Sequence, residues 1–229
     1  MGNSMTWKLT ADGDEAVLDV YDSPGEGRTA KDFTDELAAL KSRRLLVMIN
    51  SAAGDAMAGL DIFDALRRWP GELRTFTKFA GGGALPIALA ADKANRLVAP
   101  DGLFFLGQPY VSHVQDVTDL ARYIRTGIAN IIGILTDRVG GNDRTWISAL
   151  CSSMWWPAQL AVEDSLAGAI ATADEVMRIT RAVKTPQSHA RITAKTPQSE
   201  ARGTREQRRG APIGAKELGM GVRRAQMTP

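Results

Sequence analysis

The chain has 229 residues, 44% hydrophobic and 24% charged, which is the composition of a folded globular domain with a sizeable core. Its net charge of +2 hides a split. From Lys184 onward ten Lys and Arg face three Glu, while the residues before it carry 18 basic and 23 acidic side chains. One cysteine, Cys151, excludes an intrachain disulfide and a cysteine-built metal site.

The opening MGNSMTWKLT has no apolar signal core, and no apolar run reaches the roughly 18 residues of a membrane span. These features predict a cytoplasmic protein that carries no metal or cofactor. The acids Asp12, Asp14 and Glu15 read as a solvated group. AVLDVYD (16–22) then alternates as a strand does. TAKDFTDELAAL (29–40) reads as a helix: Thr29 is its cap, and Phe33, Leu37 and Leu40 share a face. RRLLVMIN (43–50) has the continuous apolar run of a strand covered on both faces. LDIFDALRRW (60–69) is a helix that Pro70 and Gly71 stop. On it, Asp61 and Asp64 are expected to pair with Arg67 and Arg68.

ELRTFTKF (72–79) alternates as a strand and runs into three glycines, Gly81, Gly82 and Gly83. NRLVAP and LFFLGQP are expected as two further short strands. Residues 116–139 repeat Leu120, Ile124, Ile128, Ile131, Leu135 and Val139 at helical spacing. DRTWISAL and PAQLAVEDSLA read as short helices, with Trp155 and Trp156 packing at the entrance of the second, and 168–176 as a closing strand and turn. Strands that alternate with helices predict an α/β fold on a largely parallel sheet.

Past Arg181 the pattern ends. KTPQSHARITA is followed at once by KTPQSEARGTR, identical at eight of eleven positions. Two copies are too few for a solenoid, and the composition has little to bury. The expected organisation is therefore an N-terminal extension over 1–15, a domain over 16–180 and a basic, disordered tail over 181–229. The tail lacks aromatics for base stacking, which argues against nucleic acid as its partner.

Residues 48–109 carry INS-x-x-GD-x-x-AGL-x-I-x-DALR, then a Gly/Ala turn, APDG and GQP at matching spacing. This stretch resembles the proteolytic subunit of the Clp protease, and most closely its phage-type members. The resemblance spans about residues 16 to 176. It implies a crotonase-like spiral of ββα units that packs into rings, with the 116–139 helix protruding as a handle between rings. It also implies an ATP-dependent serine endopeptidase acting on peptides, partnered by an unfoldase that supplies the ATPase.

A serine peptidase needs a nucleophile, a base beside it and a group that orients the base. In the family the nucleophile follows a strand at the start of a helix. Counting forward from AGL places it at Gly83; counting back from GQP places it at Gly82. The base of the family's HQP falls on Gly107, and the aspartate on Ser153. The oxyanion donors implied by the resemblance are the amides of Gly54 and Ala84. These matches predict a pseudoenzyme: a structural or regulatory ring subunit that self-associates through the 116–139 helix and joins an active paralogue.

Two other readings stay open at this point. An active hydrolase could use relocated groups such as His113, Ser152 or Ser153. An acyl-CoA-binding enzyme of the crotonase type would use the glycine amides, although its two customary glutamates fall on Leu85 and Tyr110.

Overall fold

The computed structural model describes residues 7–21, 29–52, 54–107 and 117–182. Seven strands form one sheet in the order β1 (Trp7–Asp12), β2 (Glu15–Tyr21), β3 (Arg44–Ser51), β4 (Glu72–Gly81), β5 (Arg96–Leu106) and β6 (Met154–Pro157), and β7 (Ala169–Ile170) also pairs with β5. The pairs β2–β3, β3–β4, β4–β5 and β5–β7 are parallel, and the two outer pairs β1–β2 and β5–β6 are antiparallel. This is the predicted mixed α/β architecture.

The connections are helical. α1 (Ala30–Ala39) starts on a reciprocal cap in which the Thr29 hydroxyl accepts from the Asp32 amide and Asp32 accepts from the Thr29 amide. α2 (Ala56–Arg68) begins four residues before the predicted start. The Asp55 carboxylate accepts from the amides of Met57 and Ala58, at 2.9 and 3.1 Å, and so caps the helix earlier. α3 (Ala84–Ala88) follows the glycines, α4 (Val117–Arg138) is the long helix, and α5 (Asp143–Cys151) and α6 (Ala158–Glu163) lead to α7 (Ala173–Ala182).

The core has a large and a small side. The inner sheet face, with Leu45, Val47, Ile49 and Phe104, packs on α2, α3 and the second half of α4. On the outer face Leu46, Phe76 and Ala99 are covered by Val176 of α7. β3 is thus covered on both sides, as its continuous apolar run predicts.

Several expectations change. Residues 7–12 lie ahead of the expected domain boundary, yet they form the edge strand, with Trp7 buried edge-on against Phe33 at 5.3 Å. Glu15 is not solvated like its neighbours; it is 8% exposed and pairs with Arg44 at 3.0 Å. The two short strands near 100 are one strand, β5, whose register slips between Val98 and Leu103 against Thr77 and Phe79. Trp155 and Trp156 sit in β6, a strand where a helix entrance was expected. Residues 173–182 are helical where a closing turn was expected, and Thr172 and Glu175 cap that helix reciprocally. Arg67 reaches Asp92 at 3.3 Å, away from its own helix. The basic repeat lies outside the described residues.

Candidate active-site region

The β4–α3 turn is built by close backbone contacts. β4 ends at Gly81, Gly82 takes a left-handed φ of 52°, and Gly83 caps α3. The β3–α2 loop presses against this turn. The Gly83 amide donates to the Gly54 carbonyl at 3.3 Å. A Cβ on Gly83 would lie 2.4 Å from the Asp55 carbonyl oxygen, and one on Gly81 would lie 2.7 Å from the Ala52 carbonyl oxygen. α2 closes from the other side, where a Cβ on Gly59 would lie 1.9 Å from the Gly83 oxygen. What comes close to the glycines is this chain's own backbone.

The positions singled out in the sequence converge on one end of the sheet. The β4–β5 ladder ends at Gly81 opposite Phe105, two residues short of Gly83 and Gly107. The β5–β6 ladder ends at Leu106 opposite Met154, one residue short of Gly107 and Ser153. Gly83, Gly107 and Ser153 therefore lie just past the ends of three adjacent strands.

Aromatic side chains fill the outer face here. Trp155 stacks on Phe79 at 5.7 Å and tilts against Phe105 at 4.4 Å. The Phe105 ring covers Gly107, because a Cβ there would lie 2.4 Å from its ring edge. Trp155 stays 50% exposed, while Trp156 is buried and donates its indole N–H to Asp164 at 2.9 Å. Both tryptophans pack just ahead of α6: Trp156 in the core, and Trp155 in a half-exposed stack on Phe79 and Phe105.

The remaining candidates are placed plainly. Ser153 is exposed, with a left-handed φ of 51°, in the turn that ends α5. The Ser152 hydroxyl donates to the Ser148 carbonyl at 2.8 Å, a bond within its own helix. Gly54 is buried and Ala84 is fully buried. His113 lies outside the described residues, as does Tyr110. Leu85 is buried in the core. Among the described residues no group of three or more His, Cys, Asp or Glu could hold a metal ion, and no helix is long and apolar enough to cross a membrane.

Two arginines tie the far end of α3. Arg138 of α4 donates to the carbonyls of Leu89 and Ala91, at 3.2 and 2.6 Å, and to Asp92 at 3.0 Å. Arg67 of α2 donates to Ala90 and Asp92, both at 3.3 Å. The Arg138 hydrogen bond holds the Asp92 carboxyl below its usual range. Beside it Arg96 is 2% exposed and caps the end of α4 through the Arg138 carbonyl at 2.8 Å. Burial pulls the Arg96 guanidinium down to about 10. Arg96 and Arg138 were not singled out in the sequence, and Arg67 was expected to pair within its own helix. Their only sequence signal is basic residues beside helix ends, where cations satisfy open carbonyls.

A sheet of mostly parallel strands, with a strand–glycine turn–helix at its carboxyl end, defines an α/β protein. The Clp protease family model matches residues 19–174. The chain belongs to the Clp protease family. Among solved structures, a point mutant of ClpP1 from Listeria monocytogenes shares the fold with a TM-score of 0.61 at 19% identity, covering 69% of this chain and 92% of that one. No curated protein matches the sequence.

Proposed function

We propose that this chain is a catalytically silent member of its family that serves as a structural or regulatory subunit of an oligomeric ring. The observation that carries the reading is the packing at the carboxyl end of the sheet. In the family pattern the nucleophile stands at the start of the helix after β4, the place that Gly83 fills as the cap of α3. Gly82, the other candidate, takes the left-handed conformation one residue earlier. At the base position Gly107 lies under the Phe105 ring.

Neither glycine supplies a nucleophile or a proton acceptor. At Gly83 the Asp55 backbone also occupies the space that a side chain needs, and at Gly107 the Phe105 ring would have to swing aside. Ser153, at the aspartate position, could orient a base, but none stands beside it among Gly83 and Gly107.

Packing also weighs against an acyl-CoA enzyme. That chemistry directs glycine amides at a thioester oxygen, and here the Gly83 amide is bonded to the Gly54 carbonyl. The relocated triad gains no support from Ser152, whose hydroxyl is held by its own helix.

Members of the family form oligomeric rings. The surface that suits this role is the face shared by α4 and α5. Ile131 and Leu135 are buried in the chain's own core, while Ile124, Ile128 and Ile132 line an apolar groove with Ile147 of α5. An active paralogue would then supply the chemistry, and an ATP-driven unfoldase would engage the mixed assembly. Size-exclusion chromatography with light scattering tests the role. The expected result is an assembly of several copies, or a mixed one after co-expression with an intact Clp peptidase. A single-chain mass in both experiments contradicts it.

A further inference from the structure

A second concave site shares no lining residue with the glycine turn. The turn after α4, one face of α5, β6 and the end of α6 line an open cleft of about 460 Å3. That volume suits a small organic ligand. Its apolar lining includes Val139, Met154 and the two indoles Trp146 and Trp156. The indoles lie 6.2 Å apart at 50°. Each is locked by its ring N–H: Trp146 donates to the Gly140 carbonyl at 2.8 Å and Trp156 to Asp164 at 2.9 Å. Gly140 and Gly141 cross the Trp146 side in left-handed conformations and leave that wall without side chains.

The polar lining is one-sided. Thr145, Ser148 and Ser152 lie along a single face of α5; the Thr145 and Ser152 hydroxyls donate to Asn142 and to the Ser148 carbonyl, at 3.3 and 2.8 Å, and keep their oxygens as acceptors. Asp164 is the only charged group among the described lining residues, and none of them is Lys, Arg or His. One of its carboxylate oxygens holds Trp156. A lone carboxylate does not chelate a metal, and it repels anions. A cation with a flat apolar body satisfies both halves of the lining: the ammonium meets Asp164 and the hydroxyls, and the body lies against the indole edges and the Met154 thioether.

We infer that this cleft binds a small amphipathic amine. The site is independent of the glycine turn, so its presence or absence leaves the reading of that turn untouched. Calorimetric titration of the full chain with 2-phenylethylamine, alongside the neutral 2-phenylethanol and the anionic phenylacetate, tests it. Saturable binding of the amine alone is expected. Asp164→Asn should weaken it about tenfold, because the amide still accepts from Trp156 but carries no charge. Met154→Ala, at an exposed position, should weaken it less and leave the fold intact. Chemical-shift changes should centre on Trp146 and Trp156. Equal affinity for the alcohol or the acid overturns the proposal, as does undiminished binding to Asp164→Asn. So does the lack of saturable amine binding up to about 10 mM.

Discussion

The carboxyl end of β4 and the α4–α5 surface have opposite characters. At the first, backbone presses on backbone: Gly59 on Gly83, Gly83 on Asp55, and an aromatic ring over Gly107. At the second, Ile147 is 47% exposed beside Ile124 and Ile128, and the groove between the helices holds about 730 Å3. Among the described residues, the glycines at that end of the sheet are in close contact with backbone or a ring, whereas the α4–α5 flank holds an open apolar groove. On the proposed reading, the chain keeps an assembly surface while its reaction site is filled in. The two regions answer to different constraints, so substitutions in them should separate stability from association.

The largest effect is expected at the closed end. Gly59→Ala puts a methyl 1.9 Å from a backbone oxygen, and neither partner can swing aside. A loss of about 3 kcal/mol or more is expected, at the upper end of overpacking costs, read from urea unfolding. Gly83→Ser meets the Asp55 carbonyl at 2.4 Å and should destabilise without bringing peptidase activity, even when combined with Gly107→His. Ordinary stability in either glycine variant would break the comparison.

A smaller loss is expected from the aromatic stack. Trp155→Ala removes ring contacts to both Phe79 and Phe105. Because the indole is half exposed, about 1 kcal/mol is expected from chemical unfolding. On the open flank, Ile147→Asp should leave the melting temperature nearly unchanged but lower the assembly mass seen by light scattering. Unchanged mass would place the interface elsewhere.

The smallest effects follow from two carboxylates. Burial first, then Asp64 and Asp55, raises the Asp61 carboxyl above its ordinary value. The folded state then holds the proton longer than the unfolded state, so this group costs stability as pH rises through its folded value. Asp61→Asn should therefore stabilise slightly at neutral pH and not below about pH 3, where the acid is protonated in both states. Asp92 is shifted the other way by Arg138, so Asp92→Asn should destabilise slightly at neutral pH, with the difference fading in acid. Both are read from melting temperatures across pH, and solvent screening keeps both small.

Much of the fold was legible because the chain states it locally. Thr29 with Asp32 marks α1, and the unbroken run RLLVMINS marks a strand covered on both faces. Other local signals were present and passed over. Asp55 marks the true start of α2, and Thr172 with Glu175 forms the same reciprocal cap that announces α1. β6 carries no such signal. It is four residues long and exists because Phe104 and Phe105 offer partners to Trp156 and Trp155, a contact between segments about fifty residues apart.

The glycine positions could be read in the sequence, but what fills the space around them could not. That the β3–α2 loop sits on Gly83, and that Phe105 covers Gly107, depends on where distant segments come to rest. The choice between Gly82 and Gly83 as the cap of α3 likewise needs the backbone angles.

The most direct test of the central claim is exposure of the intact chain to a fluorophosphonate, followed by mass measurement of the whole protein. The packing around Gly83 and Gly107 predicts an unmodified mass under conditions that label an intact Clp peptidase to completion. A stoichiometric adduct, mapped to Ser152, Ser153 or another serine and lost when that serine is changed to alanine, would contradict the account and establish a relocated nucleophile.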